Sequence, residues 1–81
     1  MTSVVLRVKL SFPEKLIREP IIARLVKEHN VVPNIRRASV EGTEGWIICE
    51  LSGTTDAIEE SLKWLRELGI SVDLLGDMVE S

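Results

Sequence analysis

Residues 31–53 read Val-Val-Pro-Asn-Ile-Arg-Arg-Ala-Ser-Val-Glu-Gly-Thr-Glu-Gly-Trp-Ile-Ile-Cys-Glu-Leu-Ser-Gly, two strand-like runs joined by a glycine-bearing turn. A helix-like segment precedes this hairpin and another follows it, and each is flanked on its far side by a further strand-like run. The order strand, helix, strand, strand, helix, strand within 81 residues leaves few architectures open and excludes most enzyme chemistries.

In the first run, Val4, Leu6, Val8, Leu10 and Phe12 alternate with Val5, Arg7, Lys9 and Ser11, the period-2 signature of a half-buried strand that Pro13 ends. The stretch through Glu19 reads as an irregular lead-in. Pro20 suits the first position of a helix, where its missing N–H is not needed; Ile21, Ile22, Leu25 and Val26 follow at helical spacing, and Asn30 is a left-handed stop. The run Val31–Glu41 is strand-like but broken, because Pro33 cannot donate to a ladder and Arg36-Arg37 interrupts the alternation, so it reads as an edge strand. Gly42 and Gly45 bracket the hairpin turn. Ile47, Cys49 and Leu51 then alternate with Trp46, Ile48 and Glu50 in a central strand. Asp56 with Glu59 has the form of a capping box, and Ala57, Ile58, Ser61, Leu62, Leu65 and Leu68 mark the buried side of a helix that Gly69 stops. A last alternating strand covers Ile70–Leu74.

Right-handed crossovers applied to the two helix-linked halves give an α+β, ferredoxin-like βαββαβ sandwich: a four-stranded antiparallel sheet in the order 4-1-3-2 with both helices on one face. The chain is expected to form one domain over residues 1–81, with a core from 4 to 76 and a frayed tail at 77–81. The other sheet face then presents Arg7, Lys9, Trp46, Ile48, Glu50, Ser71 and Asp73, a half-apolar surface for a small domain to leave in water.

A chain of this length buries only about 60% of the surface its unfolded form exposes, so its stability is modest or helped by association. Apolar residues make up 44% and charged residues 28%, the balance of a folded soluble chain. No run approaches the roughly 20 apolar residues of a membrane span and the N-terminus lacks a secretory layout, which predicts a cytoplasmic protein. Cys49 and His29, one of each, fall short of a metal site, so neither metal nor cofactor is expected. The net charge of −3 and the absence of paired sheet aromatics argue against nucleic-acid binding.

The register of Leu10-Ser11-Phe12, Pro20-Ile21-Ile22, Asn34-Ile35, Gly45 and Ile47, Leu51-Ser52-Gly53 and a closing Gly-Ile-Ser-Val-Asp-Leu-Leu resembles the NIL domain over roughly Val4 to Gly76. That module forms the C-terminus of methionine ABC-importer ATPases and occurs in ferredoxin-related and stand-alone proteins. The resemblance implies side-by-side dimers that bind methionine and thereby inhibit transport, with the asparagine of the Asn-Ile-Leu signature, here Asn34, taking part in binding. The chain departs from the pattern at Arg36, where leucine is usual, and at Ala23, where serine is common. It carries no Walker A loop and no ferredoxin cysteines, so regulation would act on a separate partner.

The candidate ligand residues are Asn34, whose amide offers a donor and an acceptor or else satisfies a turn beside Pro33, and Ile35, Ala38 and Val40, an apolar slot for a thioether or simply core. The candidate interaction residues are Arg36 and Arg37, with Arg7 and Lys9 a basic face for a carboxylate, phosphate or acidic protein, and Trp46 with Ile48 as a contact anchor. His29 reads as a helix C-terminal residue and Cys49 as a small buried one. No catalytic constellation is present. Two functions compete: a homodimeric amino-acid sensor acting on a partner protein, and a protein-interaction adaptor of the same fold without ligand.

Overall fold

The alternation in the first run becomes the central strand of a sheet. A computed structural model describes residues 3–80, beginning with β1 (Ser3–Phe12), in which Val4, Leu6, Val8 and Leu10 are buried. A 3₁₀ turn at Glu14–Leu16 follows, then α1 (Ile21–His29), β2 (Val32–Glu41), β3 (Glu44–Thr54), α2 (Thr55–Glu67), β4 (Ser71–Leu74) and β5 (Val79–Glu80). The sheet runs β2-β3-β1-β4 with all pairings antiparallel, the ferredoxin-like order expected from the sequence. Val79–Glu80 departs from the expected frayed tail: it pairs with Val4 and Val5, along the edge of β1 that β4 occupies further on. The backbone groups of Val4 and Val5 on that edge lie beyond the reach of the short β4, and the returning chain satisfies them. Ser81 lies outside the described residues.

Both helices pack on one face. Ile21 and Leu25 of α1 and Ile58, Leu62 and Leu65 of α2 close over Val8, Leu10, Cys49 and Leu51, and burying each large aliphatic side chain contributes about 1.5–3 kcal/mol. Ser61 is buried among them at no polar loss, because its hydroxyl donates to the Ile58 carbonyl at 2.7 Å. Pro20 is the residue before the first helical turn, not within it, and its carbonyl accepts the Arg24 N–H at 3.0 Å. Asn30 ends α1 in the left-handed conformation, φ 54°, as expected. The cap of α2 differs from the expected Asp56–Glu59 box. Thr54, still extended at the end of β3, turns its hydroxyl to accept the Ala57 N–H at 3.1 Å, which leaves Asp56 in the first turn to complement the helix dipole.

Gly69 closes α2 with φ 96°, its N–H donating to the Arg66 carbonyl while that of Ile70 reaches Leu65 at 3.1 Å. This pair of bonds is a Schellman motif, and only glycine adopts the backbone angle without strain. Gly69→Ala is therefore expected to lower stability by about 1–2 kcal/mol, read by urea denaturation. An unchanged midpoint would show that the helix end relaxes into another conformation.

In β2, the pairing shifts by one residue between Ile35 and Arg37, so Arg36 is an extra residue, a β-bulge. A regular strand places residues 34, 36, 38 and 40 on one face. With the bulge, Ile35, Ala38 and Val40 stand opposite Cys49, Ile47 and Gly45 on the helix side, while Asn34, Arg37 and Ser39 stand opposite Glu50, Ile48 and Trp46 on the open side. The Arg36-Arg37 interruption in the sequence is the trace of this bulge.

Candidate functional site

Where β2 and β3 run past the entry to α1, the helix-side layer is incomplete. Leu16 and Ile17 at the end of the 3₁₀ turn, Ile21 from α1, Ala38 and Val40 from β2 and Ile47 from β3 line a half-open apolar cavity of about 260 Å³. Its lining has few polar residues: Glu19, Ser39 through its backbone, and the first turn of α1, since Pro20 to Ala23 also line it. That turn has no side-chain cap and no acidic residue; the Ile21 N–H already donates to the Glu19 carbonyl at 2.8 Å, which leaves the amides of Ile22 and Ala23 to face an anionic group. An apolar slot beside an uncapped helix end suits a small apolar molecule that carries an anionic group.

The structure divides the residues singled out in the sequence. Ala38 and Val40 line this cavity; Ile35 shares their face but stands outside the lining, 49% exposed. Asn34 lies on the opposite face of β2, across from Glu50, and does not enter the cavity of its own chain. Sequence reasoning passed over Leu16, Ile17 and Glu19, in a stretch without periodicity. Pro13 and Pro20 around that stretch were the available signal that a fixed loop approaches the sheet there.

On the open face, the interaction candidates do come together. Glu50 receives the Arg7 guanidinium at 3.1 Å and faces Arg36 at 3.8 Å, so the bulge points Arg36 toward the carboxylate of the central strand. Both arginine side chains are about half exposed (52% and 53%), so these pairs contribute little to stability. Lys9 lies over the Trp46 ring with its Nζ 5.1 Å from the centroid, and Ile48 sits half-buried between Lys9 and Arg37. Long cationic side chains thus shield the apolar centre of a face that no element among the described residues covers.

The remaining candidates have structural roles. His29 ends α1 with its ring 4.5 Å from that of Trp64, and Arg24 packs on the same indole while bonding Glu28, whose carboxyl it holds below the usual range. Cys49 is buried, and burial pushes its thiol up to about 11, leaving it protonated and unreactive at neutral pH. Among the described residues, no group of three or more His, Cys, Asp or Glu could hold a metal ion, and no helix is long and apolar enough to cross a membrane.

Comparison with known proteins places the fold in a family. Over 72 residues, 84% of the chain, the sequence is 32% identical to the Methionine import ATP-binding protein MetN 2 of Listeria innocua, covering 21% of that protein. It is 36% identical over 53 residues, 65% of the chain, to 40% of the L-aspartate semialdehyde sulfurtransferase iron-sulfur subunit of Methanocaldococcus jannaschii. The chain therefore spans well under half the length of these curated relatives. The C-terminal domain of an ABC transporter ATP-binding protein from Enterococcus faecalis superposes with a TM-score of 0.78 at 25% identity, covering 89% of this chain and 84% of that one. The model of the NIL domain matches residues 6–73, and the chain belongs to that family.

Proposed function

We propose that this domain is a non-enzymatic regulatory module that binds a small apolar amino acid, methionine in the first instance, as a homodimer in the cytoplasm and passes its ligand state to a partner protein. The observation that carries the reading is the apolar cavity of about 260 Å³ bordered by the uncapped start of α1 and by Glu19. A thioether chain fits an unbranched apolar slot, the helix end attracts the α-carboxylate, and Glu19 offers a partner to the ammonium. The names of the methionine-import relatives support the same ligand class. Asn34 faces away from the cavity of its own chain, so this reading gives the ligand to the cavity residues and leaves Asn34 on the open face beside Glu50.

Thermal unfolding with each of the twenty amino acids tests the proposal. A ligand at a hundredfold excess over its Kd stabilises the native state by about 2.7 kcal/mol, which raises the Tm of a domain this small by about 10 °C or more. L-methionine is expected to give that rise and L-aspartate none. No shift with any amino acid at millimolar concentration would favour the second reading, an adaptor that docks through the Trp46 and Ile48 face, where Arg36 already engages Glu50.

A further inference from the structure

The stretch between β1 and α1 is held together by its own bonds. The N–H groups of Leu16, Ile17, Glu19 and Ile21 donate to the carbonyls of Pro13, Glu14, Leu16 and Glu19, all within residues 13–21. Among the described residues, no side chain of 14–19 hydrogen-bonds or ion-pairs with the sheet or with α2. Apolar contact alone seats it: Leu16 packs on the core, and Ile17 stands against Gly45, where a Cβ would lie 3.5 Å from its Cγ1. A unit bonded internally but not to its surroundings opens at far lower cost than the domain unfolds.

Its joint with α1 has two accessible states. Pro20 sits at φ −79°, ψ 59°, and the Ile21 N–H reaches back to the Glu19 carbonyl at 2.8 Å, which together make an inverse γ-turn. That φ also suits a helix. A rotation of about 100° in ψ alone carries Pro20 to the helical value and adds it to α1 as the first residue, a position that proline favours. One hydrogen bond, from Ile21 to Glu19, holds the turn against that rotation. Because the residues before it are bonded to one another, turning at Pro20 moves Leu16 and Ile17 together relative to the cavity mouth, with Pro13 as the opposite joint.

We infer that residues 13–20 form a hinged lid over the half-open cavity, opening while the rest of the domain stays folded and closing on an apolar ligand through Leu16 and Ile17. Both side chains are half-buried without ligand, and closure covers more of each against the ligand's apolar chain. This is the differential contact by which ligand shifts the lid. The inference deepens the ligand-binding reading and rests on it for the closing movement. The opening movement is tested without ligand.

The lid carries its own probe. Of the ten lysines and arginines in the chain, only Lys15 and Arg18 lie outside the α-helices and strands, and both are exposed. Limited trypsin digestion read by mass spectrometry is expected to cut first after Lys15 or Arg18, at least about tenfold faster than after Arg37 or Arg66, whose cleavage requires wider unfolding. L-methionine at millimolar concentration is expected to slow the lid cuts at least about tenfold, and L-aspartate to leave them unchanged. Ile17→Ser removes half of the apolar seat and is expected to speed the unliganded lid cuts about fivefold and to weaken their protection by methionine. First cuts in a strand or α-helix overturn the inference, as does an Ile17→Ser protein cut at the original rate. Methionine that raises the Tm without slowing the lid cuts overturns the lid and leaves the ligand reading standing. If no amino acid raises the Tm while the lid is still cut first, the ligand reading falls and the closing movement with it, and the hinged opening stands.

Discussion

Replacing Leu51 by alanine is expected to lower stability by about 3–4 kcal/mol and the Tm by about 12 °C or more. Leu51 has no exposure; it stands on the helix side of β3, opposite Leu6 of β1 and Pro33 of β2. The hole left by its three lost carbons is ringed by strand backbone on both sides, which cannot collapse into it without breaking ladder bonds, so the cavity penalty adds to the lost transfer energy. A domain of this size has a total stability of order 5–10 kcal/mol, and each kcal/mol moves its Tm by about 4–8 °C. Urea and thermal denaturation followed by circular dichroism measure both. A loss below about 1 kcal/mol would mean that the layer between sheet and helices is looser than the contacts around Leu51 indicate.

Gly45→Leu is expected to reduce methionine binding by a factor of about 100 or more, equivalent to about 2.7 kcal/mol, while shifting the Tm of the unliganded protein by only a few degrees. Gly45 lines the cavity, and a Cβ added there would meet its nearest neighbour, Ile17 Cγ1, at 3.5 Å, ordinary contact distance. Its φ is not in the left-handed region, so a side chain adds no backbone strain. The new isobutyl group occupies space reserved for ligand, and a branched aliphatic residue suits a strand better than glycine does. Isothermal titration calorimetry of both proteins decides the matter. Equal affinity in the variant would place the ligand elsewhere, with the open face around Trp46 the next region to probe.

Most of the scaffold was legible in the sequence because period and punctuation agreed. The five-residue alternation from Val4 to Phe12, the stripe from Ile58 to Leu65 and the glycine at 69 each specify an element locally. Two features were not legible for physical reasons. Val79–Glu80 is too short to carry a period, and its pairing exists only because Val4 and Val5 are left open beyond β4. The cap of α2 had several hydroxyl and carboxyl candidates between Ser52 and Asp56; which one serves depends on where β3 stops, a tertiary matter settled by its pairing with Ser3. The cavity was half legible. Ala38 and Val40 belong to it, but its other walls come from an aperiodic segment whose approach to the sheet follows from the length of chain between Phe12 and Ile21, not from any spacing of apolar residues.

The additional residue at Arg36 acts on the strand as a phase shift. Removing it would exchange inside for outside on one flank of β2, burying Asn34 and ejecting Ile35, or turning Ala38 and Val40 to water and Ser39 inward. Length changes in this hairpin arm are thus tolerable only in even steps, or when compensated by another insertion within the same arm. A relative one residue shorter here would have lost the cavity wall even with every neighbouring side chain retained.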